Sequence, residues 1–412
     1  MGTVIWQGDA PTVAQVSDGS IDSLDGTPAN NTFTVTIGGL SISQVGTGTA
    51  AATAAALVVL LNASTDKRFS TITWSVPSGS TIRGTADIAG IPFTAALTET
   101  GAGTGAVTDF SATTANAGPN DWSTASNWDT GVVPVDNDDV IIENSAVSIL
   151  YGLAQSSIDL TSLTIQSTFT GTIGLPRTNA DGYVEYRPTY LQIGSALSSI
   201  TGSGSGRIKI DNGTDQGAVY IYGSGTRAET GIPSILLLGS HASQAVTINK
   251  GDVGIGFFGG ETAVVAALNV GYMSQQASDS KLAIGSGVTL TALTINGGVT
   301  TCNSAATTIV QEAGTLTIGE DATATTLTVR GGTCYYNSSG TTTTGNAVGG
   351  VLDFRQDSRG RTFTNANVYK GATIYDPMAS VTWTNGLDLQ QTGLEAVTLQ
   401  LGPHRTWTPS AI

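Results

Sequence analysis

SKLAIGSGVTLTALTINGG, residues 280–298, and GTLTIGEDATATTLTVRGG, residues 314–332, lie in register at an offset of 34 residues with no gap. Leu282 matches Leu316, Ile284 matches Ile318, Leu293 matches Leu327, and Ile295 matches Val329. The glycines match as well: Gly285 with Gly319, Gly297 with Gly331, Gly298 with Gly332. A fixed-period repeat means one structural unit stacked on the next, each burying its neighbour's apolar face. Each unit holds two short strands of period 2 closed by glycine, so the expected stack is a β-solenoid rather than a helical array. A third strand near Thr308–Val310 would make each 34-residue coil three-sided.

Working outward, short strands punctuated by glycine recur over residues 131–350, which are read as a right-handed parallel β-helix. The fold class is mainly β, with a small N-terminal α+β domain and a β-rich C-terminal cap. Residues 1–30 read as an extended arm. Residues 31–105 read as an α+β docking module. There Phe33, Val35 and Ile37 alternate, Gly38-Gly39 turns the chain, and Leu40 and Ile42 return. A helix over Thr49–Asn62 follows, with Leu57, Leu60 and Leu61 on one face. Residues 106–130 read as a linker and a cap in which Trp122 and Trp128 plug the open end of the solenoid, since an uncovered edge invites aggregation. Residues 351–412 lose the repeat, gain aromatics and gather Arg355, Arg359 and Arg361. They read as a cap or an oligomer contact.

Composition narrows the function. Charged residues make up 11% of the 412, less than half the ~25% of ordinary domains. Thr, Ser, Gly and Asn supply a neutral surface that suits sheet faces. The net charge is −15 with no Lys/Arg cluster, so nucleic acid, which demands a cationic footprint, is not an expected partner. An anionic membrane is disfavoured for the same reason, and no segment reaches ~18 consecutive apolar residues. Met1–Pro11 lacks the basic and apolar parts of a secretory signal, so an extracellular site would be reached by assembly onto a particle released by lysis. Cys302 and Cys334 are 32 residues apart, close to the repeat period, so they could sit on adjoining coils and be bridged, but a chain this long needs no staple and two buried thiols are the simpler reading.

Two segments carry a resemblance. Residues 31–100 combine a strand ending TIGG (Thr36–Gly39), an Ala-rich helix ending LNAS (Leu61–Ser64), and TADIAGIPFTAAL (Thr85–Leu97). This unit resembles a small domain of tailed-bacteriophage virion proteins. DWSTASNW (Asp121–Trp128), with the acidic turn and strand that follow, resembles the segment that opens β-helix regions in phage structural proteins and bacterial adhesins. The resemblance implies a virion surface location and carries no catalytic residue.

Chemistry is sparse. Glycoside hydrolysis needs two facing carboxylates ~5–9.5 Å apart. The candidates are Asp353 and Asp357 flanking Arg355, and Glu320 with Asp321, but a turn is the ordinary place for such acids. Acids are scarce over 160–310, where a glycan groove is expected. Asp136, Asn137, Asp138 and Asp139 offer oxygen ligands for Ca²⁺ without EF-hand spacing, and an Asx-rich turn accounts for them better. His241 and His404 stand alone in sequence. No catalytic, cofactor or metal residue is assigned. The expectation is a non-enzymatic virion protein: a capsid decoration or spike protein, trimeric, attached to the major capsid protein or another virion protein. A tail fibre or tailspike binding host glycan, with or without hydrolysis, is the alternative, and a bacterial surface adhesin is the third reading.

Overall fold

The computed structural model describes residues 2–202, 206–225, 231–271, 280–319, 322–390 and 397–402. The chain is mainly β, and most of it builds one large parallel sheet system. Ser280–Ile284 pairs in parallel with Gly251–Ile255 on one side and Val299–Cys302 on the other. Val288–Ile295 pairs likewise with Ala263–Val270 and Ala306–Gln311. Each of these strands therefore bonds to the strand two places away, and here the chain passes alternately between two ladders. That topology is consistent with a β-solenoid, in which every coil rests on its neighbour.

The coil is half the repeat seen in the sequence. Leu282 pairs with Thr300 and Thr300 with Leu316, so one coil takes 18 residues and the next 16. Thr308–Val310 is not a third side of the unit. It is the counterpart, one coil on, of Ala292–Thr294. The intervening coil hides its kinship because it places Thr300, Cys302 and Gln311 where its neighbours carry Leu, Ile or Val. All three are fully buried. Self-similarity thus surfaces only at every second coil.

Vertical columns hold the stack together. Ile235, Val253, Leu282, Thr300, Leu316 and Cys334 lie in register, one per coil. A second column at Ile248, Val270, Ile295, Gln311 and Val329 faces it from the other ladder. A full Leu or Ile burial is worth roughly 1.5–3 kcal/mol, gained at every level where the column carries one. Glycines form a corner column. Gly298, Gly314, Gly332 and Gly350 all have φ between 65° and 79°. A Cβ on Gly332 would stand 2.1 Å from the carbonyl oxygen of Gly314, and one on Gly314 would stand 2.5 Å from that of Gly298. Only glycine lets successive corners approach so closely.

The stack does not stop at 350. Val351–Asp353, Thr373–Asp376 and Thr398–Leu401 continue one ladder, and Arg361–Tyr369 continues the other above Thr341–Ala347. The described residues 351–390 and 397–402 are therefore more coils rather than a separate cap. The spacing stretches to 22 residues between Leu352 and Ile374, and the core turns aromatic. Tyr336, Phe354, Phe363 and Trp383 meet with centroids 5.1–5.9 Å apart. Longer loops broke the period while the register held.

Nor do the described residues 2–30 form an extended arm apart from the rest. Thr3–Ile5 pairs in parallel with Asp139–Ile142 at the start of the stack. Trp6 then joins Trp122 and Trp128 in a buried edge-to-face trio, with centroids 5.1 and 4.6 Å apart. Fully buried Asn127 fixes the trio's backbone: its amide donates to the carbonyls of Gly118 and Asp121, and its oxygen accepts from Ala10 N–H.

Val16–Ser23 belongs to the module, where it lies between Thr81–Ala86 and Ala106–Thr114 in an antiparallel sheet completed by Ile72–Ser75. Ala106–Thr114, expected in a linker, is thus a strand. Both strands were hard to read for a common reason. Ser17, Gly19 and Ile21 fill the inward positions of the first, and the second is mostly exposed, so neither shows apolar alternation. The other sheet places Asn31–Ile37 between Leu40–Val45 and Ala96–Gly101. Helix α1, Ala50–Ala63, is capped by Thr49 Oγ1, which accepts from Ala52 N–H at 3.1 Å. It buries Ala54, Leu57, Val58 and Leu61. Leu60, expected on that face, is 40% exposed, since the buried stripe follows i, i+3, i+4, i+7 from Ala54. The module and the stack have separate hydrophobic cores.

Candidate ligand cleft between the module and the stack

The two bodies meet through the connection between Ala154–Ile165 and Leu191–Ile200. Its sequence DGYVEYRPTY (Asp181–Tyr190) folds back onto the module. The Tyr186 ring sits on the hairpin turn at Gly38, where a Cβ would lie 2.8 Å from it. Arg187 reaches the carbonyl of Pro92 at 3.1 Å. It also clasps Glu185 through two parallel bonds of 2.8 Å, Nε to Oε1 and Nη2 to Oε2. Burial opposes charge on Glu185, but the bonds from Arg187 and the backbone outweigh it and hold the carboxyl below its ordinary range. Such a bidentate pair fixes geometry as well as charge.

Aromatic faces gather around this clasp. Tyr183 and Tyr186 stack at 6.2 Å with 28° between planes. The Arg68 guanidinium lies over Tyr183 at 5.5 Å, and that of Arg187 lies over Tyr151 at 5.3 Å and Tyr186 at 5.2 Å. Burial pushes the hydroxyls of Tyr151 and Tyr183 up, and that of Tyr186 up to about 12. All three remain neutral donors at ordinary pH. Two adjoining cavities result. One, of about 190 Å³, is walled by Tyr151, Tyr183 and Tyr186 over Ile91 and Pro92, with Arg68, Asn179 and Asp181 at its polar edge. The other, of about 200 Å³, runs along Leu150–Gln155 with Thr94 and Ser123. Pro92, Tyr151 and Arg187 line both.

The acids singled out from sequence do other work. Asp353 is 2% exposed and held by Arg355, Nη2 to Oδ2 at 2.7 Å, while Arg355 packs on the Tyr375 ring at 4.1 Å. Asp357 accepts from Arg359 Nε at 2.9 Å. Burial opposes charge on Asp353, yet Arg355 keeps its carboxyl below the usual range. The hydrogen bond from Arg359 takes Asp357 down to about 2. Neither is poised as a general acid, and each is spent on its own arginine. Asp136 and Asp138 cap backbone amides of Asp159, Gly2 and Val135, and Asp139 accepts from Ser162 Oγ. These are turn and register contacts. Among the described residues no three His, Cys, Asp or Glu side chains are placed to hold a metal ion. His241 accepts from Ser243 N–H through Nδ1. Glu320, Asp321 and His404 lie outside the described residues. Cys302 and Cys334 are free and buried, in different columns with a coil between them.

Sequence reading missed one carboxyl pair. Asp159 and Asp215 converge over Gly194, where a Cβ would meet Asp215 Oδ2 at 1.9 Å and Asp159 Oδ1 at 2.4 Å. Burial, then the hydrogen bond to Asp159 and its charge, push the Asp215 carboxyl up to about 6. Nothing local in the sequence joins a strand residue to a loop one coil away. The tyrosine cleft left a fainter trace, three tyrosines within Asp181–Tyr190, whose partners at Arg68, Pro92 and Tyr151 come from distant segments. No family model matches the chain, and neither curated proteins nor solved structures give a match.

Proposed function

We propose that this chain is a structural protein of a bacteriophage particle, acting as a capsid decoration or spike. In this reading the stack is a right-handed parallel β-helix, the assembly is a homotrimer, and the α+β module docks on the major capsid protein or another virion protein. The chain does no catalysis, and its task is mechanical. The observation that carries the reading is the uninterrupted core, which runs from the tryptophan trio at Trp6 to the coils at Val381. A rod so built is stiff, and a module with its own core can grip another surface without disturbing it. The low charge and Thr-rich outer face suit a surface exposed outside a cell. The resemblances at Thr85–Leu97 and Asp121–Trp128 support the particle as the setting. On a symmetric lattice, contacts of ~1,600 Å² each would attach the chain firmly through multivalency.

Immunogold labelling of purified particles tests this. Label spread over the head supports decoration. Label restricted to the tail tip replaces it with the receptor-binding alternative, and particles without label overturn it.

A further inference from the structure

We infer that the cleft between module and stack is a binding site for a neutral saccharide of two or more units. Such a site goes beyond the mechanical role and would serve a head or a tail protein alike.

The walls select the ligand class. An anion finds little attraction here. The guanidinium of Arg68 is paired with Asp66 at 2.9 Å and that of Arg187 with Glu185 at 2.8 Å, while Asp181 adds negative charge at the rim. Asn179 is already engaged by Glu185 and the Asp181 N–H, and the Gln155 Nε2 by Ser123 and Gly152, but a wholly apolar ligand would give no hydrogen bond to the Asp181 carboxylate, the Ser123 O–H or Gln155 Oε1, at a cost of about 1–3 kcal/mol for each group left unpaired. A sugar ring meets both demands. Its C–H faces pack on tyrosine rings, and its equatorial hydroxyls pair with amide, carboxylate and hydroxyl groups at the edges.

The layout also sets length. Tyr151, Pro92 and Arg187 form a partition shared by two cavities of similar volume. The first offers the Tyr183–Tyr186 pair. The second offers Gln155, whose amide is oriented by Ser123 Oγ at 3.1 Å and the Gly152 carbonyl at 2.7 Å. One sugar unit on each side of the partition uses the whole seam. The site is rigid before binding, because Glu185 and Arg187 are fixed to each other and to Pro92. Little ordering is left for the ligand to bring about.

The test titrates the full chain with cellotriose, maltotriose and N,N′,N″-triacetylchitotriose, and with sialyllactose as the anionic control, followed by calorimetry and saturation-transfer NMR. Saturable binding of at least one neutral trisaccharide is expected, weakened about tenfold or more by Tyr183→Ala and by Gln155→Ala. Tyr183→Phe, which keeps the ring, should stay within about threefold of the parent. This guards against a clasp that fails to fold. Absence of saturable binding to all three neutral sugars overturns the inference. So does preference for sialyllactose, or binding that both alanine variants leave unchanged. Because the readout is sugar affinity rather than location, its failure is separate from a failure of the labelling experiment.

Discussion

The module and the stack solve the burial problem in different ways. In the module, a strand from residues 16–23 is clamped between partners more than sixty residues further along the chain, and one helix closes a core shared by every element. In the stack, each coil touches little beyond the coil before and the coil after. The first body is cooperative throughout, so a local defect is felt everywhere. The second is a chain of nearest neighbours, where damage stays near its origin and length can change without redesign.

The sharpest way to break this contrast is at the end of the stack. Trp128→Ala should destabilise the first coils by about 3–5 kcal/mol, the range for large aromatic truncations. Hydrogen exchange should rise near Thr3–Ile5 and Asp139–Ile142 and remain low around Leu293. Uniform loss of protection along the stack would show that the coils unfold as one unit. In the module, Leu57→Ala should cost about 2–5 kcal/mol and lower one calorimetric transition while leaving the other in place. A single transition that moves as a whole would erase the distinction between the two cores. Within the stack, Gly332→Ala should cost at least about 1 kcal/mol, because it places a side chain at φ 73° against the Gly314 carbonyl. Denaturant midpoints measure it, and an unchanged midpoint would mean that the corners have slack.

The smallest effect is in the pH dependence. Asp215 is pushed up to about 6 in the folded chain, against about 3.9 for an unperturbed aspartate. The folded state therefore holds this proton more tightly than the unfolded one. Its contribution favours folding at low pH and is lost as pH rises from about 4 through about 6. Asp66 and Asp357, each held down to about 2 by an arginine, act in the opposite sense and lose their contribution only as pH falls below about 4. Melting curves between pH 4 and 7 should show the parent losing stability relative to Asp215→Asn. Parallel curves would remove Asp215 from the account.

What could be read in advance follows from the same contrast. Leu282, Ile284 and their partners declared a stack because a coil repeats its own inward residues. The true coil length was masked by Thr300 and Gln311, polar occupants of apolar columns, and the last coils by the long loop at Arg355–Gly360. In the module, Phe33–Ile37 and helix α1 alternate plainly. The strand at Val16–Ser23 does not, because Ser17 and Gly19 are small enough to face inward without being apolar. The cleft was the least legible feature, since its walls come from five separated segments and exist only once the 181–190 segment has turned back.

Cys302 and Cys334 are both at 0% exposure, in coils separated by one other, and burial pushes both thiols up. A maleimide in solution would meet neither sulfur until the surrounding rungs part. The rate at which each thiol is alkylated thus becomes a clock for transient opening, with two independent dials set two levels apart in the stack.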